Sequence, residues 1–131
     1  MATAITPHLM FEGAAEEAMT FYVSLFPRSE ILAVERWGPD AGPSAGRVKV
    51  ARFSLGGRTV QCADSPVAHG FTFTPSLSLF VDCESAEELE RAFAALAEGG
   101  KVLMPLDAYG FSTRFGWVND RFGVSWQINL P

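Results

Sequence analysis

Neutral hydrogen-bonding side chains recur at every second position in the last strand-like segment of the chain. Residues 124–130 alternate four apolar side chains with three polar ones, Ser125, Gln127 and Asn129. Successive residues of a strand point to opposite faces of its sheet. Amide and hydroxyl groups donate and accept hydrogen bonds without carrying a charge. The segment therefore predicts a strand with one apolar face and one face suited to a small uncharged molecule.

Side chains that support nucleophilic or metal chemistry are few. The two cysteines, Cys62 and Cys83, form no CxxC pair, and the two histidines, His8 and His69, have no supporting carboxylate pattern. We interpret the cysteines as reduced thiols, with Cys62 buried and Cys83 open to solvent or buried. No GxSxG segment is present, so a serine triad on that pattern is not predicted.

The helices and strands that position these residues occur in the same order twice along the chain. Helices are predicted at 14–26, from apolar residues at helical spacing, and at 86–97, where Ser85 and Glu88 form a capping box. The Gly56-Gly57 pair predicts a hairpin turn. The predicted strands are residues 5–11, 30–37, 47–55, 58–64, 75–81, 101–104, 113–118 and 124–130.

The order βαβββ thus occurs twice, and a short sequence match recurs in the two copies. Thr6-Pro7 before Ala15-Glu16-Glu17 matches Thr74-Pro75 before Ala86-Glu87-Glu88. This predicts an α+β fold in a single domain, 1–131, with modules of about 1–64 and 74–131 and a linker of about 65–73. Each helix would cover one face of its sheet. The remaining faces would form a curved cleft, the natural place for a ligand.

Composition and charge exclude several classes of function. The 131 residues carry 15 acidic and 10 basic side chains, a net charge of −5, and the basic ones are scattered. Binding of nucleic acid needs clustered Lys and Arg, so no nucleic-acid partner is expected. No apolar stretch has the length of a membrane span, and no secretion signal begins the chain. We expect a soluble cytoplasmic protein with no membrane partner.

Several stretches resemble the PhnB-like group, labelled a 3-demethylubiquinone-9 3-methyltransferase domain, of the vicinal oxygen chelate superfamily. That superfamily includes glyoxalase I, bleomycin resistance proteins and extradiol dioxygenases. The resemblance implies two βαβββ modules in a glyoxalase-like fold, and a homodimer. The matching stretches are Ile5-Thr6-Pro7, Phe11-Glu12-Gly13, Ala15-Glu16-Glu17-Ala18, Phe21-Tyr22, Leu25-Phe26-Pro27 and Gly116-Trp117-Val118-Asn119-Asp120-Arg121-Phe122-Gly123-Val124-Ser125-Trp126-Gln127.

The resemblance also assigns positions to the metal ligands of the superfamily. Carried over residue by residue, these positions are Pro7, Gln61, Ser76 and Gln127, and none of them is His, Asp or Glu. Zinc, iron and manganese sites need imidazole, thiolate or carboxylate ligands. We therefore expect no metal and no cofactor. The glycine pairs also form no S-adenosylmethionine loop, because Gly99-Gly100 follows a helix.

We predict that the cleft binds a small neutral or aromatic ligand. Hydrogen bonds would come from Gln61, Ser76, Ser78, Gln127 and Asn129, and stacking from Trp117, Trp37 and Tyr109. Arg114 would be the one nearby cation, with a surface ion pair as its alternative. Trp117 and Trp126 are also candidates for the core, which we favour for Trp126. The apolar wall would consist of Leu9, Phe11 and Phe80.

Two alternatives remain open at this stage. One is an enzyme of the superfamily, either methyltransferase-like as the family is labelled or a metal-dependent lyase, isomerase or dioxygenase. Its nearest carboxylates are Glu12, Glu35 and Asp64. The other is a subunit that binds another protein through a sheet edge or the rim of the cleft.

Overall fold

The computed structural model describes residues 2–131, and these fold as two units. Unit 1 extends to His69 and unit 2 spans Gly70–Pro131. The predicted linker, 65–73, contains the boundary between the units. Unit 1 contains β1 (His8–Phe11), α1 (Ala15–Val23), β2 (Glu30–Arg36), β3 (Val48–Leu55) and β4 (Arg58–Asp64). Unit 2 contains β5 (Ser78–Asp82), α2 (Ala86–Ala97), β6 (Lys101–Asp107), β7 (Arg114–Asn119) and β8 (Ser125–Leu130).

Each unit has the predicted βαβββ order and one four-stranded mixed sheet, so the α+β prediction is confirmed. The strand orders are β1-β4-β3-β2 and β5-β8-β7-β6. The first strand of each unit pairs in parallel with the last, and the other pairs are antiparallel. Gly56 and Gly57, both at positive φ, make the turn between β3 and β4. Glycine adopts this left-handed backbone at little cost.

The N-terminus of α1 is held by a buried carboxylate instead of a cap on the helix itself. Asp64, at the end of β4, accepts from Gly13 N at 2.8 Å and Ala15 N at 3.0 Å through Oδ1. Its Oδ2 accepts from Val48 N at 3.2 Å. A negative charge is favourable at this end of a helix. Asp64 therefore ties β4 to both the start of α1 and the start of β3.

Helix α2 begins as predicted, although the capping box is only half correct. Ser85 Oγ accepts from Glu88 N at 3.1 Å. The Glu88 carboxylate accepts from Glu84 N at 2.9 Å, one residue before the expected Ser85 amide. Helix α1 is shorter than predicted and ends at Val23, where Ser24 and Leu25 close tight turns onto Phe21 and Tyr22. Pro27 disfavours helical geometry at the residue before it.

Two strand boundaries of unit 2 differ from the prediction. Strand β5 begins at Ser78, because Pro75 and Ser76 lie in a turn, and Leu77 is exposed. Strand β6 continues through Pro105 to Asp107. Proline is tolerated there because β6 is an edge strand. Residues 38–46, predicted as a loop, contain a short 3-10 turn at Pro39–Ser44.

The core of each unit lies between its helix and one face of its sheet. In unit 1 the Cys62 thiol meets the Met19 sulfur of α1 at 4.0 Å. In unit 2 Trp126 is fully buried, as predicted, and its indole donates to Asp120 Oδ2 at 2.9 Å. None of the helices within residues 2–131 has the length and apolar character needed to cross a membrane.

Candidate functional site

Each sheet has a second face that its own helix does not cover, which we call the helix-free face. Strand alternation and register assign the side chains to it. In unit 1 this face carries His8, Gln61 and Arg52, which lie side by side on β1, β4 and β3. In unit 2 it carries Phe80, Gln127 and Trp117 on β5, β8 and β7. Gln61 and Gln127 both lie four residues after a turn glycine at positive φ.

Unit 1 pairs Gln61 with a histidine. His8 Nδ1 and Gln61 Nε2 lie 2.8 Å apart, across the parallel pair β1 and β4. Pro7, which the resemblance assigns to a metal-ligand position, precedes the strand, and its carbonyl oxygen accepts from Gln61 N at 2.9 Å. His8 is exposed and shares the helix-free face with Gln61.

Unit 2 has a hydrogen-bonded network on its helix-free face. The Trp117 indole donates to Ser125 Oγ at 2.8 Å, and the Ser125 and Ser78 hydroxyls bond at 2.7 Å. Gln127 Nε2 donates to Ser78 Oγ at 3.2 Å. Within residues 2–131 no side-chain or backbone group donates to Gln127 Oε1. The network holds the half-buried Gln127 amide in one orientation and leaves its carbonyl oxygen as an acceptor.

Four aromatic rings form a cluster next to this network. The Phe115 ring lies 5.0 Å from Phe111, 6.1 Å from Tyr109 and 6.2 Å from Phe80, measured between ring centroids. Phe115 is buried, whereas Phe80 is 54% exposed and Phe111 is 63% exposed. Exposed aromatic rings at a polar network are typical of a binding surface.

Four predicted site residues lie elsewhere. Phe11 is buried on the helix-covered face together with Leu9, because alternation in β1 sends His8 and Met10 to the other side. Arg114 forms an ion pair with Glu90 of α2, with 2.6 Å between Nη1 and Oε1, so it too faces the helix. Ser76 lies in the turn before β5 and bonds to Thr74 Oγ1.

The sequence patterns did not predict Phe111 and Phe115 as part of this surface. Alternation in β7 contained the signal for Phe115, because Trp117 and Phe115 share a face. Phe111 lies in the β6–β7 connection, where no periodicity applies. The sequence also contains no signal that makes His8 the partner of Gln61. Trp37, expected at the rim, donates through its indole to the Asp64 carbonyl of its own unit at 3.0 Å.

The residues at the assigned metal positions do not fit a divalent metal ion. These positions are Pro7, Gln61, Ser76 and Gln127, and the strand register places His8 beside Gln61 and Phe80 beside Gln127. The four positions offer two neutral amides and one hydroxyl, and their strand neighbours add one imidazole and one phenyl ring, whereas divalent transition metals select imidazole, thiolate and carboxylate. Across residues 2–131, no three His, Cys, Asp or Glu side chains come together in a group that could hold a metal.

Neither cysteine is poised for nucleophilic chemistry. Burial raises the pKa of the Cys62 thiol to about 12, and nearby Asp64 contributes to the shift. Burial is also the largest cause of the raised pKa of Cys83, about 12, with Glu88 contributing. The thiolate is the reactive form of cysteine, so both side chains are unreactive at neutral pH.

Comparison with known proteins identifies close relatives along the whole chain. A family described as 3-demethylubiquinone-9 3-methyltransferase matches residues 3–129. A solved structure from Bacillus cereus, a putative 3-demethylubiquinone-9 3-methyltransferase called PhnB protein, is 51% identical with a TM-score of 0.95, and the match covers 98% of this chain and 100% of that one. Protein PA1353 from Pseudomonas aeruginosa is 31% identical with a TM-score of 0.80, covering 98% of each chain.

A more distant structure shows the same fold. The fosfomycin resistance protein FosX from Listeria monocytogenes, solved with Mn(II), has a TM-score of 0.62 at 10% identity, covering 100% of this chain and 94% of that one.

Proposed function

The chain belongs to the 3-demethylubiquinone-9 3-methyltransferase family, in the vicinal oxygen chelate superfamily, and we propose that it binds a small neutral or aromatic molecule without a metal. The observation that carries this proposal is the exposed aromatic cluster beside the Gln127 network on the helix-free face of unit 2. We propose this face, with Gln127, Ser78, Trp117 and Phe80, as the binding surface.

The chemistry of this surface supports a planar ligand with a hydrogen-bond donor. The Phe80 and Phe111 rings expose apolar area on which a flat molecule can stack. The Gln127 carbonyl oxygen accepts a hydrogen bond from the edge of such a molecule. Since the amide is already held by Ser78, little rotamer freedom is lost on binding.

The donor set supports binding without a metal. Two of the four assigned positions are glutamines, and the other two, Pro7 and Ser76, also carry no charge. In unit 1, the Nδ1 atom of His8 is engaged with the Gln61 amide. We propose that Gln61 and His8 take part in hydrogen bonding to a ligand.

The family description names an enzyme, so methyl transfer is the alternative to test. In this chain Gly56-Gly57 forms a hairpin turn and Gly99-Gly100 follows α2, and neither pair joins a strand to the start of a helix. A titration with S-adenosylmethionine therefore belongs beside the binding experiment. The proposal predicts no binding of that donor, and saturable binding would favour the enzyme.

Ligand-observed NMR with a set of neutral planar aromatic compounds tests the proposed function. We expect compounds that bind the wild type to lose about three- to tenfold in affinity in Gln127→Ala, the effect of one hydrogen bond. Glu87→Gln, an exposed change on α2, is the matched control and should leave affinity unchanged. Binding that is equally strong in Gln127→Ala and the wild type would refute this surface.

We also propose a homodimer in the cytoplasm. Every residue of the edge strand β2 is exposed, including Ile31, Leu32 and Val34. An edge strand with exposed apolar side chains is a favourable surface for another chain. Light scattering after size-exclusion chromatography should give twice the chain mass, and Leu32→Lys should shift it toward the monomer. The two free, buried cysteines are consistent with a reducing compartment.

A further inference from the structure

One end of the helix-free face of unit 2 combines carboxylates with aromatic rings. Strand pairing aligns Asp82, Asn129, Phe115 and Asp107 in one row across β5, β8, β7 and β6. Asp82 and Asp107 are exposed at the two sides of the row. The rings of Phe80, Phe111 and Tyr109 surround Phe115. We call this row and its rings the acidic–aromatic end.

The buried amide in this row lacks a donor. Asn129 is 8% exposed, and its Nδ2 donates to Asp82 Oδ1 at 2.8 Å. Its Oδ1 is buried, and no group within residues 2–131 donates to it. Buried carbonyl oxygens are almost always hydrogen-bonded, and one left without a donor costs stability. The exposed acceptor at this point is the Asp82 carboxylate, which the Asn129 amide holds in place, so the group that a ligand offers it is a donor.

The charge around the row favours a cation. Unit 2 contains eight acidic and four basic side chains, a formal net charge of −4. None of the four basic residues lies in the row. Arg91 is on α2, Arg114 is paired with Glu90 of α2, Arg121 lies over the Phe122 ring, and Lys101 begins β6 at the opposite end of the sheet. The two carboxylates therefore have no positive partner within the row.

From these observations we propose that the acidic–aromatic end binds an organic ammonium group, so that the ligand is an amine protonated at neutral pH. The inference rests on the proposed function and names the charge of its ligand. The ammonium lies over the exposed ring faces, where the π-electrons attract a cation. Its N–H groups donate to the exposed Asp82 carboxylate, and the planar part of the ligand extends toward Gln127.

Two isosteric probes test this proposal, benzylammonium and the neutral benzyl alcohol. Affinities for the wild type, Asp82→Asn and Glu84→Gln are measured by ligand-observed NMR. We expect benzylammonium to bind about tenfold more tightly than benzyl alcohol, and Asp82→Asn to abolish that preference. Asparagine keeps an oxygen for the Asn129 donor, so only the charge is lost. Glu84→Gln removes the same charge outside the row and should keep the preference.

The outcomes separate this inference from the proposed function. Benzyl alcohol binding that is sensitive to Gln127→Ala, with no preference for benzylammonium, would overturn the ammonium inference alone. Failure of both probes to bind the wild type would overturn both. A salt series on the wild type keeps the test independent of variant folding. Added salt should weaken the binding of benzylammonium and not that of benzyl alcohol, and equal behaviour of the two probes would contradict the proposal.

Discussion

Trp117 and Trp126 lie on neighbouring antiparallel strands, and their indole N–H groups serve opposite faces of the same sheet. Trp117 donates to Ser125 Oγ on the helix-free face, whereas Trp126 donates to Asp120 Oδ2 in the core. Trp117 pairs with Gln127 and Trp126 with Val118. The strand alternation thus separates a structural tryptophan from one at the proposed binding surface, within a few residues of sequence.

Asp64 should be a large contributor to the stability of unit 1. Asp64→Asn leaves one oxygen to serve three backbone amides, from Gly13, Ala15 and Val48. We expect a loss of about 1–3 kcal/mol in the free energy of unfolding, measured by urea denaturation. Asp40→Asn, at an exposed position, is the control. Equal stability of the two variants would contradict this role.

Gly116 leaves room for the helix of unit 2. A Cβ at this position would lie 2.4 Å from Phe93 Cε1 and 2.8 Å from Leu106 Cδ2. We expect Gly116→Ala to lower the free energy of unfolding by about 1–3 kcal/mol through overpacking. Gly70→Ala meets no atom within 4 Å and should be close to neutral in the same denaturation experiment. A neutral Gly116→Ala would mean that α2 packs less closely than the structure shows.

Both thiols should be protected in the native protein. Burial raises the pKa of Cys62 and Cys83 to about 12, so the thiolate population at neutral pH is very small. Reaction with a colorimetric disulfide reagent should be slow in buffer and complete for two thiols in denaturant. Rapid reaction of one thiol in buffer would show that Cys62 or Cys83 is accessible.

Because of the ion pair between Glu16 and Arg36, the free energy of unfolding should fall as the pH is lowered. Two hydrogen bonds, of 2.9 and 2.7 Å, hold the pKa of Glu16 below its ordinary value of 4.5. The stability from this pair is therefore present above the pKa of the unfolded state and is lost as pH falls through the lower folded value.

Arg36→Gln should raise the pKa of Glu16 toward its ordinary value, as measured by NMR titration of the carboxyl group. Lys49→Gln, which removes the separate pair with Glu35, should leave the Glu16 titration unchanged. An unchanged pKa in Arg36→Gln would show that the pair does not persist in solution.

Much of the fold could be predicted from local patterns, because each unit is built from short-range signals. Helical spacing, the Ser85 cap and the Gly56-Gly57 turn located both helices and the hairpin. The boundaries that differ depend on tertiary contacts. The length of β6, for example, is set by pairing with β7, which carries the strand through Pro105.

The candidate site was less predictable. Alternation placed Gln127, Ser78 and Phe80 on one face, as the structure has them. Register across strands, which no single segment encodes, decides that His8 lies beside Gln61 and that Asp82 lies beside Asn129. The side of the sheet that Arg114 occupies depends on Glu90 of α2, a contact between residues 24 positions apart.

The most direct test of the binding surface uses the two tryptophans as reporters. Their indole N–H resonances are assigned with the variants Trp117→Phe and Trp126→Phe. The wild type is then titrated with an aromatic compound that binds it in the ligand-observed experiment, and both resonances are followed by NMR. We expect a progressive shift of the Trp117 resonance, with the Trp126 resonance unchanged because its indole is bound to Asp120 in the core. A saturable titration that leaves the Trp117 resonance in place would refute binding at this surface.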